Sequence, residues 1–272
     1  METDEVLESG YGPDTPPGDN ALNDFVQGEA DAWKTLAIAR GDRVAEDKEL
    51  GLMLADGGSP SPFGNVALLR RPIRDDEWPT VSERMQQFFG GRPGGPFLVF
   101  SGWPTRDLRS LGFGQIGHPP MMRRPPLPLE VPPVEGFEIR RVDDDDTAHD
   151  WERVLIEAYP VPELQPYSPG CFLSGNAVSA PGWHYFVGYL DGEAVATAGS
   201  FVDERHVRIE FISTQDACRG RGIGNAITCA ATAADLTKPA MLIASDLGYP
   251  TYLRMGYEPL VRFTLWAGHR SG

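Results

Sequence analysis

Cysteine is scarce in this chain, and long apolar runs are missing. Its 272 residues include 3 cysteines, Cys171, Cys218 and Cys229, an odd number with no C-x-x-C pair. That excludes a disulfide framework and a zinc ribbon and fits reduced thiols in the cytoplasm. No apolar stretch approaches the ~20 residues needed to cross a bilayer. The opening METDEVLESGYGPDTPPGDN lacks the basic and apolar regions of a signal peptide and reads as a disordered acidic tail over 1–19. Positive charge is also short: 24 Lys and Arg against 39 Asp and Glu leave a net charge of −15. Nucleic acid and anionic membranes would be repelled, so neither is an expected partner, whereas a cationic substrate would be attracted. His118, His149, His184, His206 and His269 show no H-E-x-x-H or paired spacing, and Asp143 to Asp146 lack calcium-loop spacing, so no metal is expected. A G-x-S-x-G elbow is missing and Cys171 has no recognisable partner, which leaves nucleophilic catalysis without support.

What is present divides in two. The segment RRPPLPLEVPPVEG, 123–136, carries five prolines and reads as a semi-rigid linker between a lobe at 20–122 and a lobe at 137–269. After it, FEIRRV reads as a strand and 143–160 as a helix. There Thr147 and Asp150 fit a capping box, and Trp151, Val154, Leu155, Ala158 and Tyr159 share a face. A proline-rich loop over 160–182 follows. WHYFVGYL and EAVATAGSFV then pair through an Asp191-Gly192 turn, and HVRIEFIST makes a third strand. Ile223, Ala226, Ile227, Ala230, Ala231 and Ala234 recur at helical spacing. The strand AMLIAS, the short helix YPTYLRMG closed by Gly256, and a final strand YEPLVRFTLW complete the order. The first half runs similarly: a helix around Phe25, Val26, Trp33, Leu36 and Ala37, strands LGLMLAD and NVALLRR, a helix through Val81, Met85 and Phe88, and the strand PFLVFS. GWPTRDLRSLGF (102–113) echoes GYPTYLRMGY (248–257), which suggests an internal duplication. The expected class is α/β (α+β), a mixed, mostly antiparallel sheet flanked by helices, in two tandem lobes.

The stretch CRGRGIGNAIT, 218–228, places bare backbone and positive charge where a strand ends and a helix begins. Gly220, Gly222 and Gly224 would let backbone N–H groups converge on an anion at the positive helix end, while Arg219 and Arg221 suit phosphate oxygens. A Walker A loop would need G-x-x-x-x-G-K-S/T, which does not occur. A dinucleotide fingerprint would need a third glycine where Asn225 stands, after a strand of a βαβ unit rather than of a hairpin series.

The loop instead resembles the coenzyme A pyrophosphate motif of the GNAT acyltransferases, Gln/Arg-x-x-Gly-x-Gly/Ala, through Arg219, Gly222 and Gly224. A second motif of that family is matched by Ser245, Gly248, Tyr252, Gly256 and Tyr257, with serine where asparagine is commoner. The resemblance covers 137–267. It implies the GNAT fold, acetyl-CoA as cosubstrate, and transfer of an acetyl group to a primary amine, in a small molecule or a lysine, by direct attack in a ternary complex. It implies that Phe211, Ile212, Ser213 and Thr214 pair with the pantetheine arm. Gly220, Arg221, Gly222, Ile223, Gly224 and Asn225, with Arg219 and Ser245, would bind the cofactor, and Tyr252 would protonate the leaving thiolate. For the base, strand alternation puts His206, Arg208, Glu210 and Ile212 on one face, so Glu210 is the better carboxylate candidate and His206 another, with a water chain as a third route. The first lobe has PIRDDEWPTV in place of a phosphate loop and Leu108 opposite Tyr252, so it is expected to be degenerate and non-catalytic, supporting the active half and walling the acceptor pocket. Two lobes in one chain could replace the dimer of single-lobe relatives, leaving a monomer or a homodimer. A non-catalytic acyl-CoA-binding sensor is the alternative from another class, and nucleotide oxidoreduction is a poorly supported third.

Overall fold

Two twisted sheets face each other across a single long helix. The structure, a computed structural model, describes residues 21–159, 161–174 and 176–271, so the expected tail at 1–19 and Pro160 lie outside the described residues. The first half comprises α1 (Ala21–Arg40), β1 (Arg43–Asp47), β2 (Leu52–Asp56), β3 (Asn65–Leu69), α2 (Trp78–Phe89), β4 (Phe97–Ser101), β5 (Gly114–Gly117) and β6 (Pro120–Arg124). The second comprises β7 (Phe137–Arg141), α3 (Asp145–Ala158), β8 (Trp183–Leu190), β9 (Glu193–Val202), β10 (Val207–Thr214), α4 (Ile223–Thr232), β11 (Ala240–Ile243), α5 (Tyr249–Arg254), β12 (Glu258–Arg262) and β13 (Thr264–Gly268).

The duplication is plain in the strand order. The first sheet runs β1-β2-β3-β4-β13-β5 and the second β12-β6-β11-β10-β9-β8-β7. In each, three antiparallel strands lead through a crossover helix, α2 or α4, to a parallel neighbour. The next position in each sheet is filled by the other half: β13 lies between β4 and β5, and β6 lies between β11 and β12. YEPLVRFTLW therefore does not form one strand. It breaks at Phe263, and β12 and β13 enter different sheets. The two crossing connections meet where the Phe263 N–H donates to the Pro119 carbonyl at 2.9 Å, with the Phe263 ring fully buried and edge-on to Phe25.

The proline-rich linker also differs from a free spacer. Its first two residues end β6, and buried Arg124 donates to the carbonyls of Leu127 and Pro128 at 2.9 Å and of Met255 at 2.9 Å, pinning the segment against the end of α5. The helix start moves as well. The capping box is Asp144 with Thr147, not Thr147 with Asp150: extended Asp144 accepts from the Thr147 N–H at 2.7 Å, and α3 begins at Asp145. Any of the successive aspartates could cap, and the one that leaves β7 extended is used.

The core explains the position of α1. Phe25, Trp33 and Leu36 belong to one apolar cluster with Leu68 and Phe100 of the first sheet, Trp151 of α3, and Trp183 and Phe211 of the second sheet. The outer face of the first sheet packs on α2 and that of the second on α4. With strands exchanged and a core held in common, neither half can bury its apolar surface alone.

Arg270, just past β13, locks the exchange. It makes a bidentate ion pair with buried Asp56 at 2.7 and 3.0 Å and donates to the carbonyls of Gly95 at 2.7 Å and Phe89 at 3.0 Å. Arg270→Ala leaves that carboxylate buried and unpaired, and should lower stability by about 3 kcal/mol. Urea unfolding followed by both fluorescence and circular dichroism should show the loss as one coincident transition.

Candidate functional site

The site begins with a break in strand pairing. β10 and β11 pair only at Val207↔Ala240 and Arg208↔Met241 and then diverge. On the other edge of β10, the ladder to β9 jumps from Glu210↔Gly199 to Ser213↔Thr197, skipping Phe211 and Ile212. Phe211 has φ 56°, rare for a residue with a side chain. The bulge reverses the alternation: Val207 and Ile209 face α4, whereas Phe211 turns into the core around α1 and α3.

The gap between the diverging strands is a cavity of about 540 Å³. Ile212, Ser213 and Thr214 form one wall; Arg219, Gly220, Gly222, Gly224 and Asn225 form its mouth; Ser245 and Tyr252 stand opposite. Gly220 and Gly222 have φ 75° and 85°, a left-handed backbone that glycine adopts without strain. Gly222 is the N-cap of α4 and no side chain caps the helix, so the N–H groups of its first turn open on the cavity mouth. Arg219 lies along that mouth, paired with Asp216 at 2.8 Å and donating to the Thr214 carbonyl at 3.1 Å. Three expected cofactor residues do not line the cavity: Phe211 is turned into the core, Ile223 is buried beneath α4, and Arg221 is exposed outside.

Gly248 has a steric reason to be bare. A Cβ there would lie 2.6 Å from Cε2 of Tyr252, whose ring packs against it. Ser245 accepts from the Gly248 N–H at 3.2 Å and so forms the turn that opens α5. Burial, with the charge of Glu210 second, pushes the Tyr252 phenol up to about 12. Tyr159, which ends α3 and lines the same cavity, is raised by burial, Glu210 and Tyr252. Both phenols therefore stay protonated at neutral pH.

Of the two base candidates, Glu210 is the one within electrostatic reach of Tyr252 and Tyr159. Burial and the neighbouring Glu29 hold its carboxyl well above the ordinary range, Arg208 opposing. His206 sits at the other end of β10, 4.0 Å from Asp203, its ring pushed down by burial and by Arg208. Neither His206 nor Glu210 is itself among the residues that line the cavity, but only Glu210 acts on phenols that do.

Sequence reasoning missed Glu29, Arg254 and Glu152. Arg254, at the cavity rim, was legible as the arginine after Tyr252. Glu152 is buried in α3 and accepts from the backbone N–H of Gly170, Phe172 and Leu173 at 2.6 to 2.7 Å and from the Tyr167 hydroxyl at 3.2 Å. It ties the proline-rich loop to α3. No sequence signal marks it, because its partners are backbone groups some twenty residues away.

The first half has no such gap. β3 and β4 pair through Val66↔Leu98, Ala67↔Val99 and Leu68↔Phe100. The connection after β3 carries Arg71 paired with Glu77 at 2.8 Å, and Arg71 holds Glu77 down at about 2. Leu108, opposite Tyr252 in the sequence echo, is fully buried.

Residues 148–235 match the family model described as the acetyltransferase (GNAT) family. The chain carries a GNAT acetyltransferase domain. The matched span takes in the bulge and the glycine loop and ends before Tyr252. Among solved structures, a GCN5-related N-acetyltransferase from Kribbella flavida superposes with TM-score 0.67 at 18% identity, over 93% of this chain and 97% of that one. A conserved protein from Staphylococcus epidermidis, described as functionally unknown, gives TM-score 0.60 at 13% identity over 86% and 96%. A tandem GNAT protein from the clavulanic acid biosynthesis pathway gives 0.52 at 14% over 81% and 79%. The two-lobe arrangement outside the matched span is thus also found in a tandem GNAT fold. No curated protein matches the sequence. Among the described residues no cluster of His, Cys, Asp and Glu could hold a metal ion, and no helix is long and apolar enough to cross a membrane.

Glu152 gives the GNAT domain a prediction independent of ligand. Glu152→Ala removes the acceptor of several buried backbone donors and should cost about 3 kcal/mol. Limited proteolysis should then cut first within 165–174, with α3 and the sheet still protected.

Proposed function

We propose that this protein is an acetyl-CoA-dependent N-acetyltransferase acting on a primary amine, in a small molecule or a lysine. The observation that carries the reading is the gap between β10 and β11, which runs from an uncapped helix end to Tyr252, with the charge of Glu210 felt at that phenol from behind the cavity wall. The pyrophosphate would lie on the first-turn N–H groups of α4 beside Arg219, an anion against a positive helix end. The pantetheine arm would extend along Ile212 to Thr214 as an added strand, where β10 has lost its neighbour. Backbone N–H groups at the bulge would face the thioester oxygen as charge develops there.

The amine attacks the thioester carbon directly. Tyr252, a phenol kept protonated, gives its proton to the departing sulfur, and Glu210 takes a proton from the amine. The first lobe lacks both the gap and the tyrosine, so one acetyl-CoA binds per chain. Each sheet already takes a strand from the other half of the same chain, which favours a monomer.

Thiol release from acetyl-CoA against pooled polyamines, aminoglycosides, amino acids and lysine peptides tests this. Tyr252→Phe should lower kcat by about 10²-fold or more with acetyl-CoA affinity unchanged. Gly248→Ala, which drives a methyl group into the Tyr252 ring, should do the same in part. Binding without release from any pool would favour a sensor of acyl-CoA, and no binding would overturn the reading.

A further inference from the structure

Glu29 lies in the middle of α1 and is 1% exposed. Its Oε1 accepts from Trp33 Nε1 at 2.9 Å, but Oε2 is buried with no donor. Arg208 Nε stands 3.9 Å from that oxygen and is itself unpartnered. The rest of the Arg208 guanidinium is engaged elsewhere, by Asp203 and by the carbonyls of Asp24 at 3.0 Å and Phe25 at 3.2 Å. It can lie so close to α1 because position 28 is glycine: a Cβ there would be 1.8 Å from Nη2.

Two residues beyond Arg208, on the same face of β10 and before the bulge, stands Glu210, so its carboxyl faces Glu29 across the lobe boundary and each acts on the other's proton affinity. Ionised carboxylates only accept, so two of them in contact need a proton between them. We propose that Glu29 and Glu210 act as a single carboxyl pair that shares one proton and one negative charge and receives the ammonium proton of the acceptor, so that the first lobe supplies half of the acid–base group. This rests on the acetyl-transfer reading above.

The step balances. The acceptor ammonium gives one proton to the pair, which becomes neutral, and the freed amine lone pair forms the C–N bond. The C–S bond breaks, sulfur takes the Tyr252 proton, and the phenolate recovers a proton from the nitrogen. The pair's added proton then leaves to solvent. The products are the amide, coenzyme A thiol and one proton. A lone carboxylate beside Arg208 would be too weak a base for an ammonium, whereas a second carboxyl in contact raises its proton affinity. The charged and titratable groups around the pair are Arg208, with Asp203 and His206 beyond it on the second sheet, Asp24 on α1, Tyr159 at the end of α3 and Tyr252 on α5. Both phenols are protonated, leaving the pair as the group able to accept.

Two measurements on the full chain test this. Infrared spectra in heavy water at neutral pH should show a protonated carboxyl band in the wild type that is lost in both Glu29→Gln and Glu210→Gln, whichever residue carries the proton. In thiol-release assays, Glu29→Gln should move the acid limb of kcat/KM down by about one pH unit or more, since an amide opposite Glu210 stabilises its charge. It should also lower the alkaline plateau, with acetyl-CoA affinity unchanged. Glu29→Asp should restore part of the limb's position. A wild type without the band, or a Glu29→Gln variant whose acid limb stays in place, overturns the pair. A wild type that shows the band and acetylates no amine overturns the acetyl-transfer reading instead, and the pair's catalytic role with it.

Discussion

The left-handed backbone at Phe211 holds the rest of the arrangement together. A non-glycine residue in that conformation costs roughly 1–2 kcal/mol. The ring is placed among Trp33, Trp151, Phe172 and Trp183 at centroid separations of 5.1 to 6.0 Å, burial that offsets the strain. Three consequences share this origin. β10 leaves β11 and opens the cavity, two residues of β10 stand opposite one of β9, and Glu210 ends up beside α1. Because Trp33 belongs to α1, the first half of the chain helps hold the bulge that makes the second half's site.

The lobes are therefore related by duplication but unequal in use. Both run the same strand order and each lends the other a strand. In the first, β3 stays paired with β4, an Arg71–Glu77 pair fills the connection where the second has glycines, and Leu108 packs where the second has Tyr252. Without a glycine loop, the first half still serves the fold. Its helix α1 packs against both sheets, and its Asp56 anchors the chain end through Arg270.

Local chemistry was readable where neighbours in sequence act together. Gly220 and Gly222 at the mouth of α4, the Asp191-Gly192 turn, and the spacing of Ser245, Gly248 and Tyr252 each depend on a few consecutive residues, and each lies where the pattern placed it. Alternation failed at two points for a physical reason. Along YEPLVRFTLW the residues continue to alternate while the chain passes from one sheet to the other at Phe263, since both sheets accept the same pattern. Along HVRIEFIST the count of two per repeat placed Ile212 with Glu210, but the bulge inserted a residue and Phe211 took the inner face.

By itself the sequence determined the class of fold, the order of elements in the second half as far as α5, the bare glycine turn before α4 and the place of Tyr252 on its short helix. These follow from short-range rules: glycine's freedom, helix-end polarity and apolar periodicity. Only the tertiary structure decided that β6 and β13 change places, that Glu152 gathers a distant loop, and that Glu29 meets Glu210. Each of those joins groups far apart in the chain whose partners are backbone atoms or like charges. No local propensity encodes such contacts, which exist because two sheets close on one helix and leave buried polar atoms only those neighbours.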